Sequence, residues 1–299
     1  MKNIIIVSFL FIFFISCGDS DHSDSQDLLT DFEFADSLTS QVIISEKIID
    51  DMIHSIPSPI EMTSLILESG AEFDDKILID PDRVDNYATA HSKAIALGMF
   101  GTELGYLNIY GKTMISVEYL TAVRSLARDL RVEQFFDFHT LKRLADESDN
   151  MDSLINVTTQ GFSRMDAYLR EQKRTKASVM IVAGTFIEGL FIATQIRAKT
   201  VNDQLTERIG EQKMSLNNMI VMFEVYKSDP EVEKLVVDFN ELKTLYDQVQ
   251  IITTYGEPIT KEVDGMLVIE DQSTSEVKMA EELLTQIIVK TKELRTKII

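Results

Sequence analysis

Residues 177–198 read ASVMIVAGTFIEGLFIATQIRA, and from Val179 to Ala193 the run is apolar apart from Gly184, Thr185, Glu188 and Gly189. A helix that is apolar on every side either crosses a bilayer or forms the centre of a core. A carboxylate and two glycines near the middle argue for the core. Glu188 then becomes a buried acid, which needs a cation or hydrogen-bond donors beside it and without them titrates well above the usual range. Such groups are enriched in active sites and also occur as satisfied core acids; with no second catalytic group in view, the core reading is favoured.

A central helix buried all round requires other helices around it. From Leu38 onward the chain supplies them, with helices expected near 38–55, 59–69, 81–109, 112–129, 133–147, 150–172, 174–200, 202–227, 230–250 and 275–298. Ser58-Pro59-Ile60-Glu61 has the order of a capping box with Pro at the first helical position, and Asp80-Pro81 and Asp229-Pro230 repeat that start. Ser273-Thr274-Ser275-Glu276 is expected to open the last helix. Between them, Ile251–Tyr255 and Met266–Ile269 are β-branched and apolar, and Asp264-Gly265 is a turn signal. The expected fold is all-α: a multi-helix bundle or stacked helical hairpins, with a small β-hairpin or loop inserted near 251–271.

Residues 87–108 carry a second pattern. Tyr87, His91, Ala94, Gly98, Gly101, Gly105 and Asn108 are spaced alternately four and three apart, which places them along one side of a helix. Each interior Gly costs about 1 kcal/mol relative to Ala, so close approach of a neighbouring helix is the natural compensation. The competing reading is a ligand pocket in which the glycines leave room beside Tyr87, His91 and Asn108. The spacing does not fit a phosphate-binding loop, since no strand precedes it and no Lys-Ser or Lys-Thr pair follows.

The N-terminus is a separate matter. Lys2 is followed by a twelve-residue apolar run, Ile4 to Ile15, and then Ser16-Cys17-Gly18. The run is shorter than the roughly 20 residues of a membrane span and reads as a secretory signal. Ile15, Ser16 and Cys17 resemble the lipobox of bacterial lipoproteins, with Phe14 departing from the usual Leu. That resemblance implies cleavage before Cys17, the only cysteine, and lipidation of its thiol. Several acyl chains, at roughly 0.8 kcal/mol per buried methylene, would anchor a soluble body to a membrane. From Gly18 to Asp36 there are seven carboxylates and no Lys or Arg, the composition of an extended tether. Its place behind the cysteine resembles the acidic surface-export signals of Bacteroidota lipoproteins. The expected organisation is a signal peptide over 1–16, a tether over 17–37 and one helical domain over 38–299.

Composition narrows the function. With 49 acids against 29 bases and a net charge of −20, and no basic cluster interleaved with aromatics, nucleic acid is not an expected partner. The four histidines, His22, His54, His91 and His139, have no helical metal-site spacing, and no His-Glu-x-x-His occurs. The acid-rich segments Asp80–Asp85 and Asp146–Asp152 lack the Gly and terminal Glu of a calcium loop and read as helix N-termini. No nucleophile elbow or Ser-x-x-Lys motif of recognisable context is present. No metal, cofactor or catalytic residue is therefore assigned.

Ile56-Pro57-Ser58-Pro59 and the block YATAHSKAIALGMFGTELGYLNIYG, Tyr87 to Gly111, together with the lipobox, resemble a group of uncharacterised helical lipoproteins from Bacteroidota. The resemblance covers roughly residues 50–250 and implies an all-helical envelope lipoprotein, periplasmic or surface-exposed on the outer membrane, with no catalytic residues to carry over. Starch-binding helical lipoproteins of the same bacteria are longer and use aromatic sugar platforms, and this chain has no Trp. The leading expectation is a non-enzymatic protein, moored through lipid on Cys17, that binds an envelope protein or small ligand. The alternatives are an envelope enzyme using Glu188 or Glu103 in a helical pocket, and a structural subunit of an outer-membrane transport or gliding complex.

Overall fold

The computed structural model describes residues 46–54, 66–67, 70–146, 151–256, 259–263, 266–270 and 274–299. Cys17, the segments 1–16 and 17–37, the Ile56–Ser58–Pro59–Glu61 region and the Asp264-Gly265 turn lie outside the described residues. Among those described, the order is α1 (Glu46–His54), 3-10 turns at Asp75–Ile77 and Pro81–Asn86, α2 (Ala90–Ile109), α3 (Thr113–Asp129), and a 3-10 turn at Glu133–Phe135. There follow α4 (Phe138–Asp146), α5 (Met151–Glu171), α6 (Thr175–Lys199), α7 (Asp203–Val225) and α8 (Pro230–Tyr246). Four short strands come next, β1 (Gln250–Thr254), β2 (Ile259–Val263), β3 (Met266–Glu270) and β4 (Thr274–Lys278), and the chain closes on α9 (Glu281–Ile298). The architecture is an all-α multi-helix bundle with a small antiparallel β insertion.

α6, the apolar run of the sequence, is the axis of the bundle. α2 lies along it, α9 takes another side, and α5 and α7 complete the surround. Val179, Met180, Ile187, Ile192 and Ala193 are fully or almost fully buried. Among the described helices α6 alone is long and apolar enough to cross a bilayer, but most of its apolar surface faces protein. Its closeness to α2 is made by glycines on both partners. A Cβ on Gly98 would run into the Ile181 carbonyl oxygen, and one on Gly184 into the Ile95 carbonyl oxygen. Any side chain at either position holds the two backbones apart.

Several helix starts carry side-chain caps. Thr89 and Ser92 form a reciprocal capping box at α2, each backbone N–H donating to the other's hydroxyl at 3.0 Å. Asn202 accepts from Leu205 N at 2.7 Å, and Asp229 accepts from Glu231 N at 3.0 Å ahead of Pro230. Three reversals use the left-handed backbone region. Gly111 (φ 62) ends α2, and Arg131 (φ 58) and Lys173 (φ 56) do the same after α3 and α5.

Three expectations are corrected. The helix expected over 81–109 is divided: Asp80-Pro81 starts only the 3-10 turn, Tyr87 is extended, and the Thr89–Ser92 box begins α2 anew. The helix expected over 133–147 likewise begins as a 3-10 turn, and α4 starts at Phe138, where Asp137 accepts from Thr140 N at 3.0 Å. The last helix begins at Glu281, not at 275, because residues 274–278 are captured by β1 as its antiparallel partner. Gln250 faces Lys278 and Thr254 faces Thr274, while Ile259 faces Glu270 and Val263 faces Met266. The two segments read as β from sequence, 251–255 and 266–269, therefore pair with other strands and not with each other. Val277 anchors this ribbon, packing on α7 at Gly210.

Candidate functional site: two buried carboxylates on one guanidinium

The helices bring three ionisable side chains together at the axis. Glu103 comes from α2, Glu188 from α6 and Arg295 from α9, and both carboxylate side chains are fully buried. Arg295 meets Glu188 through two parallel bonds, Nε to Oε2 and Nη2 to Oε1, both 2.9 Å. This fork suits a carboxylate better than a lysine could. The same Nη2 reaches Glu103 Oε1 at 3.3 Å and the Ile77 carbonyl oxygen at 3.1 Å. The Phe191 ring covers the guanidinium, with its centroid 4.2 Å away, adding cation–π attraction.

A backbone strap closes the cluster on another side. Residues 71–80 run over α2 and α3, with the Ile79 N–H donating to Glu103 Oε1 at 2.6 Å. Tyr119 donates to the Ile79 carbonyl at 2.6 Å, Tyr110 donates to the Ala71 carbonyl at 2.7 Å, and the Asp74 N–H donates to the Tyr106 hydroxyl at 3.1 Å. Strap backbone groups thus take the place of solvent around the acids. Two buried polar atoms have no protein partner there: Glu103 Oε2 and the Tyr87 hydroxyl.

The electrostatics are lopsided, since one guanidinium serves two carboxyl groups. Burial pushes Glu103 well above the carboxylate range, and the neighbouring Glu188 charge pushes it further, against the opposing pull of Arg295. Burial also raises Glu188, opposed by the Arg295 charge and fork and by a hydrogen bond from Glu103. Tyr87, buried close to these charges, is raised to about 12, chiefly by desolvation. The pair can hold and share a proton. Any reactant would first have to displace the strap or α9.

The glycine stripe does not form one seam. Tyr87 precedes α2 and is buried with its ring edge against Phe100. Gly98 faces α6, Gly101 faces the Phe162 ring of α5, and Gly105 has nothing within 4 Å of where a Cβ would sit. Asn108 is buried with Oδ1 unpartnered. His91 turns away to α8, with Nδ1 2.6 Å from Glu231 and Nε2 3.2 Å from Asp229. These three have the donor types of a metal site. However, Asp229 already accepts Lys176 at 2.8 Å and caps α8, and each imidazole nitrogen faces a different acid. The arrangement is an interhelical ion-pair clip joining the starts of α2, α6 and α8.

Arg295 is the residue that sequence reasoning missed. A signal existed: Leu284, Ile287, Thr291 and Arg295 continue one stripe at helical spacing, so a basic residue stands where an apolar one was due. Compared with known proteins, the chain matches no family profile, no curated relative and no solved structure.

Proposed function

We propose that the chain is a lipid-anchored helical protein of the cell envelope, held to the outer membrane through Cys17, that acts by binding a partner at its surface and performs no chemistry of its own. The observation that carries the non-catalytic part is the condition of the two acids: Glu103 and Glu188 have no exposed side-chain surface and are engaged by Arg295 and the strap. General acid–base work requires a group within hydrogen-bond reach of a bound substrate. Of the glycines where pocket space was one reading, Gly98 meets the α6 backbone and Gly101 the Phe162 ring. Recognition is left to the outer surface. The anchor rests on the lipobox resemblance and the single cysteine.

Mass spectrometry of the N-terminus from envelope fractions tests the anchor: an acylated Cys17 is expected, and an intact Met1 without lipid overturns it. Crosslinking on cells, followed by identification of the adducts, tests the binding role. A reproducible envelope adduct supports it, whereas turnover of an envelope substrate by the purified chain, lost in Glu188→Gln, establishes the enzyme alternative. Co-purification with an outer-membrane transport or gliding assembly places the binding role within such a complex.

A further inference from the structure

We propose that Glu103 and Glu188 together retain one proton in the folded protein, held on Glu103, and that this proton is the lock fastening α9 and the 71–80 strap to the bundle. At this fully enclosed site the charges do not balance unless a proton is kept. Two buried carboxylates face one cation, and an unpaired buried charge is among the costliest features a fold can hold. Retaining one proton leaves a neutral acid beside a matched carboxylate–guanidinium pair.

Geometry places the proton. Both Glu188 oxygens are taken by the Arg295 fork, which favours the ionised form there. Both donors reaching Glu103, the Ile79 N–H and Arg295 Nη2, arrive at the same oxygen, Oε1. Oε2 is buried and receives nothing. A carboxylate oxygen without a donor is a lost interaction, whereas a protonated one carries no charge that calls for a donor.

The charged and titratable groups around Glu103 are Glu188 on α6, Arg295 on α9, and Tyr87 before α2; Tyr119 on α3 and Arg83 in the preceding 3-10 turn lie further out. Burial raises both tyrosines. Among the described residues, Arg295 is the cation that reaches Glu103. With Glu103 ionised, the excess charge is relieved by admitting water, and the removable covers are the strap and α9. The strap carries Ile77 and Ile79, and α9 carries the Arg295 guanidinium itself. Its remaining polar ties are Glu281 to Arg197, Lys290 to Glu241, Lys297 to Asp238, and the Ile299 carbonyl to Arg83. Two of them, Lys290 to Glu241 and Lys297 to Asp238, are solvent-exposed and weak.

The sign follows from linkage. A group whose folded-state affinity for its proton is raised contributes stability that is complete below the ordinary glutamate range and disappears as pH rises through the folded value. Loosening is therefore alkaline.

The test uses the full chain with isotopically labelled glutamate side-chain carboxyl carbons, followed by NMR, together with backbone hydrogen exchange across α9. The expected result is one glutamate still protonated at neutral pH. Protection of α9 should fall about tenfold per pH unit beyond the intrinsic exchange trend once that group ionises. Glu103→Gln, which stays neutral at every pH, should keep α9 protected and remove this extra slope. Ionisation of every glutamate at neutral pH overturns the proposal, as does an unchanged slope in Glu103→Gln. Should Glu103→Gln fail to fold, the carboxyl titration of the unaltered chain decides alone.

Discussion

Arg295 is the residue on which the interior balances. Arg295→Ala strands two carboxyl groups without a cation, and the expected cost is about 3–5 kcal/mol in urea denaturation. Arg295→Lys should fall between, because an ammonium cannot reproduce the fork. Replacing all three members with Leu, Leu and Met should recover most of the loss, because apolar residues of similar volume incur no charge-burial penalty. The glycines sort by what surrounds them. Gly184→Ala meets the Ile95 backbone and is expected to cost about 1–3 kcal/mol through overpacking. Gly105→Ala meets nothing within 4 Å and should raise stability by about 0.5–1 kcal/mol, the ordinary gain of Ala over Gly within a helix. Thermal melts of the two variants, moving in opposite directions, check the assignment.

At the level of elements, the turns after α3 and α5 carry strain that neither residue type needs. Arg131 and Lys173 sit at positive φ with exposed side chains. Arg131→Gly and Lys173→Gly should each stabilise by about 0.5–1 kcal/mol, measured as a rise in Tm. The starts of α7 and α8 were legible because Asn202 and Asp229-Pro230 cap them locally, and those of α3 and α6, which have no side-chain cap, because the helical period acts within a few residues. The failures arose where the competitor was distant in sequence. Ser273–Glu276 has the look of a helix cap, yet the backbone of Thr274, Ser275 and Glu276 is claimed by β1 about twenty residues earlier. Glu188 announced itself as an acid in an apolar run. Its partner is 107 residues away, and no local pattern specifies such a pairing. The stripe from Tyr87 to Asn108 misled for a related reason: the period was right for Gly98, but Tyr87 lies before the helix and His91 answers to α8.

Across the whole molecule, stability resides in the helices, and the ribbon is an appendage. Thr253, Thr254, Thr274 and Ser275 are exposed, and Tyr255 is 79% exposed. An isolated two-stranded ribbon is marginal in water, and this one is fastened to the bundle through Val277 on Gly210. Deleting residues 257–271, which leaves a four-residue loop between β1 and β4, should change unfolding free energy by no more than about 0.5 kcal/mol, with helical circular dichroism retained. Gly210→Leu should free the ribbon without that deletion, read as faster hydrogen exchange in β1 and β4. The separation of the charged cluster along the chain has a further result. Its cation is synthesised 192 residues after Glu103, so a nascent polypeptide that has not reached Arg295 cannot neutralise its own interior. A chain cut short before position 295 carries both acids with no guanidinium to meet them, and its helices are expected to pack less stably.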